Sequence, residues 1–150
     1  MMNHHFLLII HLLSAAIWVG GHILIALGYL PKALKEKNPS IILNFEKKYE
    51  PIGMTSLVLL VITGILMAYQ YGVSIEYWFQ FETPIEKVVS SKLALLLTTV
   101  AFALSAQFRV LPELRKNAAK LPEMAFHIIS VTTIGILMLI FGSFIRFGGF

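Results

Sequence analysis

Apolar positions along the chain fall into four long blocks, at about residues 6–30, 52–71, 89–110 and 124–145. Each block approaches or exceeds the ~20 helical residues needed to cross a hydrocarbon core. The pattern predicts an all-α fold, an integral membrane four-helix bundle. Pro31, Pro51, Pro112 and Pro122 flank the blocks, at helix ends where a missing amide proton costs little. No internal repeat is read beyond helix-turn-helix. Two of the polar segments carry a pattern of their own. "NPSIILNFEKKYE" sets Ile41, Ile42, Phe45 and Tyr49 at helical spacing among lysines, which predicts an interfacial amphipathic helix. "IEYWFQFETP" groups Tyr77, Trp78, Phe79 and Phe81, read as an aromatic belt or as a docking surface for a lipid-soluble quinol.

Composition strengthens the membrane reading. Of 150 residues 57% are hydrophobic and 13% charged, with mean hydropathy +0.79, which leaves too little polar surface for a soluble domain. One transmembrane domain is expected over residues 1–150, in contact with the lipid bilayer. The chain has no cysteine, which removes disulfides, thiolate metal sites and cysteine nucleophiles. The net charge of +4 does not point to nucleic acid, because the basic residues lie between the apolar blocks. Lys32, Lys35, Lys37, Lys47 and Lys48 precede the second block, and Arg115, Lys116 and Lys120 lie between the third and fourth, with Arg109 just inside the third. The segment between the second and third holds Lys87 against Glu76, Glu82 and Glu86. The positive-inside rule then makes the two basic loops cytoplasmic and places both termini on the non-cytoplasmic side, in a bacterial cytoplasmic (inner) membrane. "MMNHH" lacks the basic segment of a signal peptide, and the apolar run after it is too long for one. The same motif is weighed as a weak surface metal site, with a solvated terminus as the alternative.

The candidate chemistry lies in three histidines inside apolar blocks: His11, His22 and His127. His11 and His22 are 11 residues apart, about three turns plus ~20°, so they share a face about 16 Å apart along the axis. His22 and His127 fall at similar depth on different spans. A membrane histidine can simply bond a neighbouring carbonyl or hydroxyl, yet ionisable groups in spans are costly and mark ligand, proton or ion paths. Imidazoles on facing helices suit axial ligation of haem iron. On this reading His22 and His127 bind one haem b, and His11 binds a second with Lys92 as the preferred sixth ligand, ahead of His4 or His5. Lys92 is otherwise a snorkelling lysine, a propionate contact or part of a proton path. Trp18 packs on a cofactor or finds a core partner for its N–H. Arg109 is a topology anchor first and a propionate contact second. Gly20 and Gly21, beside His22, give room to a macrocycle or to a close helix contact. The methionines look scattered, with no paired ladder for soft copper(I). No hydrolase or kinase constellation is present, and no catalytic residue is assigned.

Some of these residues form a wider pattern. "IHLLSAAIWVGGHI…YLPKAL", with His11, Trp18, Gly20, Gly21, Leu30 and Pro31, resembles the first helix of the copper-resistance CopD family and of the related HemJ-type protoporphyrinogen oxidases. "FEKKYEPIGMTSLVLLVITGILMA", ending in Thr63 and Gly64, is similar to the next helix. "SSKLALLL…RVLPEL", with Lys92, Leu111 and Pro112, is similar to the third. The resemblance covers roughly the first 115 residues. It implies haem b binding involving His11 and Lys92. The chain departs from the HemJ pattern at Ala106 and Gln107, where a Tyr-His pair would stand, and at "KLPEMAFH". Together these readings describe a membrane b-type haem protein, with one or two haems per chain, carrying electrons within or across the bilayer. Its partners would be a redox protein or a quinol, in a homo-oligomer. The alternatives are a haem-dependent oxidase of a porphyrinogen or quinol and, as the CopD resemblance implies, a copper-handling membrane protein, with copper ranked behind haem.

Overall fold

The computed structural model describes residues 3–150; Met1 and Met2 of the "MMNHH" motif lie outside the described residues. Among the described residues four helices are long and apolar enough to cross a membrane: α1 (His4–Glu36), α2 (Ser40–Gln70), α3 (Pro84–Leu114) and α4 (Ala118–Phe147). They run up, down, up and down. The Tyr71 hydroxyl after α2 meets His4 at the start of α1, Arg109 late in α3 pairs with Glu123 early in α4, and Gly149 lies against Pro84. Local signals set the starts. The Asn3 side chain accepts from the His5 amide, and Thr83 with Glu86 forms a reciprocal capping box at α3, satisfying orphan amides. Outward faces remain apolar, with Leu27 at 76% and Phe108 at 81% exposure, the surface a lipid solvent requires.

Pro122 stands in the first turn of the α-helical part of α4, as expected, but Pro31, Pro51 and Pro112 do not end the helices. In α1 the segment Ile25–Tyr29 is π-helical, and in α3 so is Ala106–Val110. In each, the next amide reaches back five residues, Leu30 to Ile25 and Leu111 to Ala106. The wider turn makes room for the ring of Pro31 or Pro112, which lacks an N–H and would otherwise crowd the preceding turn. Pro51 is likewise inside α2. The expected interfacial helix is therefore the first part of α2 itself. Ile42 is fully buried, in one apolar cluster with Leu30, Ala33, Val110 and Leu114. Ile42→Ala should cost about 2–5 kcal/mol in reversible unfolding from mixed micelles, the range for emptying a packed core site. A cost below about 1 kcal/mol would return Ile42 to the interface.

The two π segments also expose a repeat that the sequence reading missed. Leu30-Pro31 and Leu111-Pro112 follow them, and His11 and Lys92 stand the same number of residues before these pairs. Pro51 and Gly64 in α2 share their spacing with Pro122 and Gly135 in α4. The bundle is thus two related hairpins running in parallel, and His11 and Lys92 occupy equivalent positions in them.

Buried side chains form three layers. Ile25, Leu30, Ile42, Leu111, Leu114 and Leu121 belong to the largest, at the end with the basic loops. Trp18, Val19, Leu57 and Val131 make the middle layer. Ala68, Val73 and Val89 pack near the termini. Cavities lie between these layers.

Candidate functional site

The upper cavity, toward the termini, has an empty volume of about 980 Å³ including its mouth, with His11, Trp18, Tyr71, Trp78, Lys92 and Thr99 in its wall. The lower cavity, toward the basic end, measures about 590 Å³, with His22, Glu46, Tyr49, Glu50, Gln107 and His127 in its wall. Trp18 lines both and stands between them. The fold thus brings His22 from α1 and His127 from α4 to one cavity, and His11 and Lys92 to the other. His11 and His22, on the same helix, serve different cavities. His4 is held away from both by Gln70 Oε1 at 2.7 Å and the Tyr71 hydroxyl at 3.2 Å.

Hydrogen bonds assign the same tautomer to all three internal imidazoles. His22 Nδ1 lies 2.8 Å from the Trp18 carbonyl, and His127 Nδ1 lies 3.0 Å from the Glu123 carbonyl. A carbonyl only accepts, so in both rings Nδ1 carries the proton. His11 Nδ1 lies 2.8 Å from Thr63 Oγ1. The Thr63 proton goes to the Leu59 carbonyl at 2.6 Å, so its oxygen accepts from His11. In each ring Nε2 keeps its lone pair, the state in which imidazole ligates a metal. The local partners that a merely structural histidine would need are present, and they occupy one nitrogen of His11 and of His22 and both nitrogens of His127.

The second nitrogens differ. No hydrogen bond holds His22 Nε2 among the described residues, whereas His127 Nε2 accepts from Ser105 Oγ at 3.0 Å. Ser105 in turn accepts from Arg109 Nη2 at 3.3 Å. Arg109 is anchored by Glu123 at 2.8 Å, and Glu123 also takes Lys120 at 3.0 Å. Arg109 thus reaches His127 through a serine. Trp18 stacks obliquely on His22 at 4.3 Å between ring centroids, and Phe102 meets His127 edge-on at 5.2 Å.

The glycines resolve toward packing. A Cβ on Gly21 would collide with the Tyr49 ring, and one on Gly53 would come within 2.7 Å of it. Tyr49 fills that notch and donates to the Ile17 and Trp18 carbonyls at 3.1 and 2.9 Å. The space beside Gly21 therefore belongs to a side chain of α2 and not to a macrocycle, while Gly20 has nothing within 4 Å.

The methionines are not scattered in space. Met54 and Met124 line the lower cavity, and Met67 and Met138 line the upper one. Each pair comes from α2 and α4, so only the fold reveals it. Among the described residues, no group of three or more His, Cys, Asp or Glu side chains gathers to hold a metal ion. Imidazole and thioether donors are both present in the walls of each cavity.

Fold and site together define an integral membrane four-helix bundle whose interior is lined by metal-competent imidazoles and paired thioethers. The chain belongs to the CopD family: the family model for copper resistance protein D matches residues 43–145. It is a membrane protein of copper-resistance type. The match includes Lys92, Arg109 and His127, while His11, Trp18 and His22 precede it. No curated protein and no solved structure matched the chain.

Proposed function

We propose that the protein handles copper as copper(I), held in the lower cavity by His22 and His127 with a thioether from Met54 or Met124. One observation carries this reading: two unprotonated Nε2 atoms from different helices and two thioethers line a single cavity. Copper(I) is soft, and thioether with imidazole is a ligand set that selects it. All of these ligands are neutral, so the site takes up the charge of the ion alone, and Glu46 and Glu50 in the same wall offset it in a medium of low dielectric. His127 must exchange the Ser105 hydroxyl for the ion. Purified protein loaded under reducing conditions should retain about one copper per chain against a chromophoric copper(I) chelator, and His22→Ala should lose it. Retention undiminished in His22→Ala would reject the site.

A second reading places b-type haem in the same cavity, where His22 and His127 would hold it and electron transfer would be the function. The same two Nε2 atoms favour it, and held by two imidazoles the group would serve electron transfer and not oxygen chemistry. The donors fit, but the notch beside Gly21 is filled by Tyr49. When bound, haem supplies one-electron transfer, while the chain's own part is to fix both imidazoles through the Trp18 and Glu123 carbonyls. A Soret band that sharpens on dithionite reduction would identify this reading. Colourless protein carrying copper supports the first.

The basic loops orient the protein in a bacterial inner membrane with both termini outside. Reporter fusions at Phe150 should be active only on the non-cytoplasmic side. Activity confined to the cytoplasm would invert the assignment of both cavities to leaflets.

A further inference from the structure

We propose that the upper cavity is a binding site for a lipid-soluble quinone and its quinol. The site is separate from the copper site and lies at the interface of the two hairpins.

The walls are largely apolar, with Leu57, Leu60, Ile65, Leu93 and Leu96 among them, and the polar groups are few and of two kinds. Trp78 comes from the aromatic segment after α2, but unlike Tyr77, Phe79 and Phe81, which are 43–46% exposed, it turns inward. Its Nε1–H is buried with no hydrogen-bond partner, a state that costs about 1–3 kcal/mol and calls for an acceptor. The backbone is bent to hold it there: Phe79 and Phe81 both adopt positive φ, 66° and 60°, unusual for bulky residues. The Phe79 amide is tied to Ser90 Oγ at 3.1 Å. Lys92 also lines the cavity, with Nζ facing Gly142, where a Cβ would stand 3.2 Å away. No described residue hydrogen-bonds or ion-pairs with Lys92. His11 supplies the opposite character, because its Nδ1 is committed to Thr63 and its Nε2 is an acceptor.

One acceptor and two donors without partners, set in an apolar chamber, describe the polar needs of a hydroquinone ring. The oxidised ring offers carbonyl oxygens, which accept from Trp78 Nε1–H and Lys92 Nζ. The reduced ring also offers a hydroxyl proton, which His11 Nε2 accepts. An ionised carboxylate only accepts and would leave His11 unmatched. The repeat explains the placement, since His11 and Lys92 hold equivalent positions in the two hairpins, and ligands of duplicated membrane folds sit at the repeat interface.

The test uses the whole protein in nanodiscs, titrated separately with a short-chain benzoquinone and its hydroquinone under anaerobic conditions. Binding is read by quenching of tryptophan fluorescence and by equilibrium partition. Both forms should bind saturably. Lys92→Met should weaken the quinone about tenfold, the loss of one charge-assisted hydrogen bond, with Lys92→Arg restoring it. His11→Phe should weaken the hydroquinone by a similar factor and the quinone far less. His22→Ala should leave both affinities intact while losing copper, which separates this inference from the copper reading. Equal losses for both redox forms in each variant, absence of saturable binding, or haem in the upper cavity that is lost with His11→Phe would overturn the assignment.

Discussion

His22→Ala and His127→Ala each lower copper(I) affinity by more than the ~10–100-fold that loss of an outer-shell partner costs, measured by competition with a chromophoric chelator. Each substitution removes one of the two Nε2 atoms that the lower cavity offers, and within that cavity no third imidazole takes its place. Ser105→Ala acts in the opposite direction. Its hydroxyl donates to His127 Nε2 at 3.0 Å and competes with the ion for the lone pair. Removing a neutral hydrogen bond worth about 1 kcal/mol tightens copper roughly fivefold. Opposite signs for Ser105→Ala and His127→Ala separate ligation from general damage, because a packing defect at either position would only weaken binding. Weakening by Ser105→Ala would show that the serine supports the site instead of occupying it.

The second large effect is steric. Gly21→Ala should destabilise the bundle by about 1–3 kcal/mol, the cost of overpacking a filled site, while its neighbour Gly20→Ala changes little. The contrast follows from what a methyl group meets: the Tyr49 ring at Gly21 and nothing within 4 Å at Gly20. Tyr49 has no retreat, because Gly53 closes the other side of its slot, where a methyl group would stand 2.7 Å from the ring. Displacing it breaks its bonds to the Ile17 and Trp18 carbonyls. The Trp18 carbonyl also fixes His22 Nδ1, so copper affinity should fall together with stability. In a Tyr49→Ala background the Gly21→Ala penalty should vanish, a coupling that a double-mutant cycle reads directly. Additive losses would mean that Gly21 is needed for some reason other than the tyrosine.

Hydropathy made the four spans legible, since the hydrocarbon thickness fixes how long an apolar block must be. The shared depth of His22 and His127 was also readable, because rise along a helix is regular. The proline boundaries were misread for a local reason. Whether Pro31 ends a helix depends on how the preceding turn pairs its amides, and the π turns at Ile25–Tyr29 and Ala106–Val110 leave no mark in a hydropathy pattern. Ile42 looked interfacial because lysines follow it, yet it is buried in one cluster with Leu30 and Val110. The methionine pairs were illegible in principle, since only the fold brings Met54 and Met124 to one cavity and Met67 and Met138 to the other. The repeat was not. Leu-Pro at equal spacing from His11 and Lys92 stood in the sequence, but it was obscured by the lack of similarity between a histidine and a lysine.

The central claim is that imidazole and thioether hold copper inside the bundle, and X-ray absorption at the copper edge of copper(I)-loaded protein tests it most directly. The chain has no cysteine, so any sulfur bound to copper must come from methionine. The prediction is mixed imidazole and sulfur scattering at about one copper per chain, with the sulfur component lost when Met54 and Met124 are both replaced by Ile and the bound copper itself lost in His22→Ala. Copper surrounded only by light scatterers, unchanged in both variants, would contradict the account.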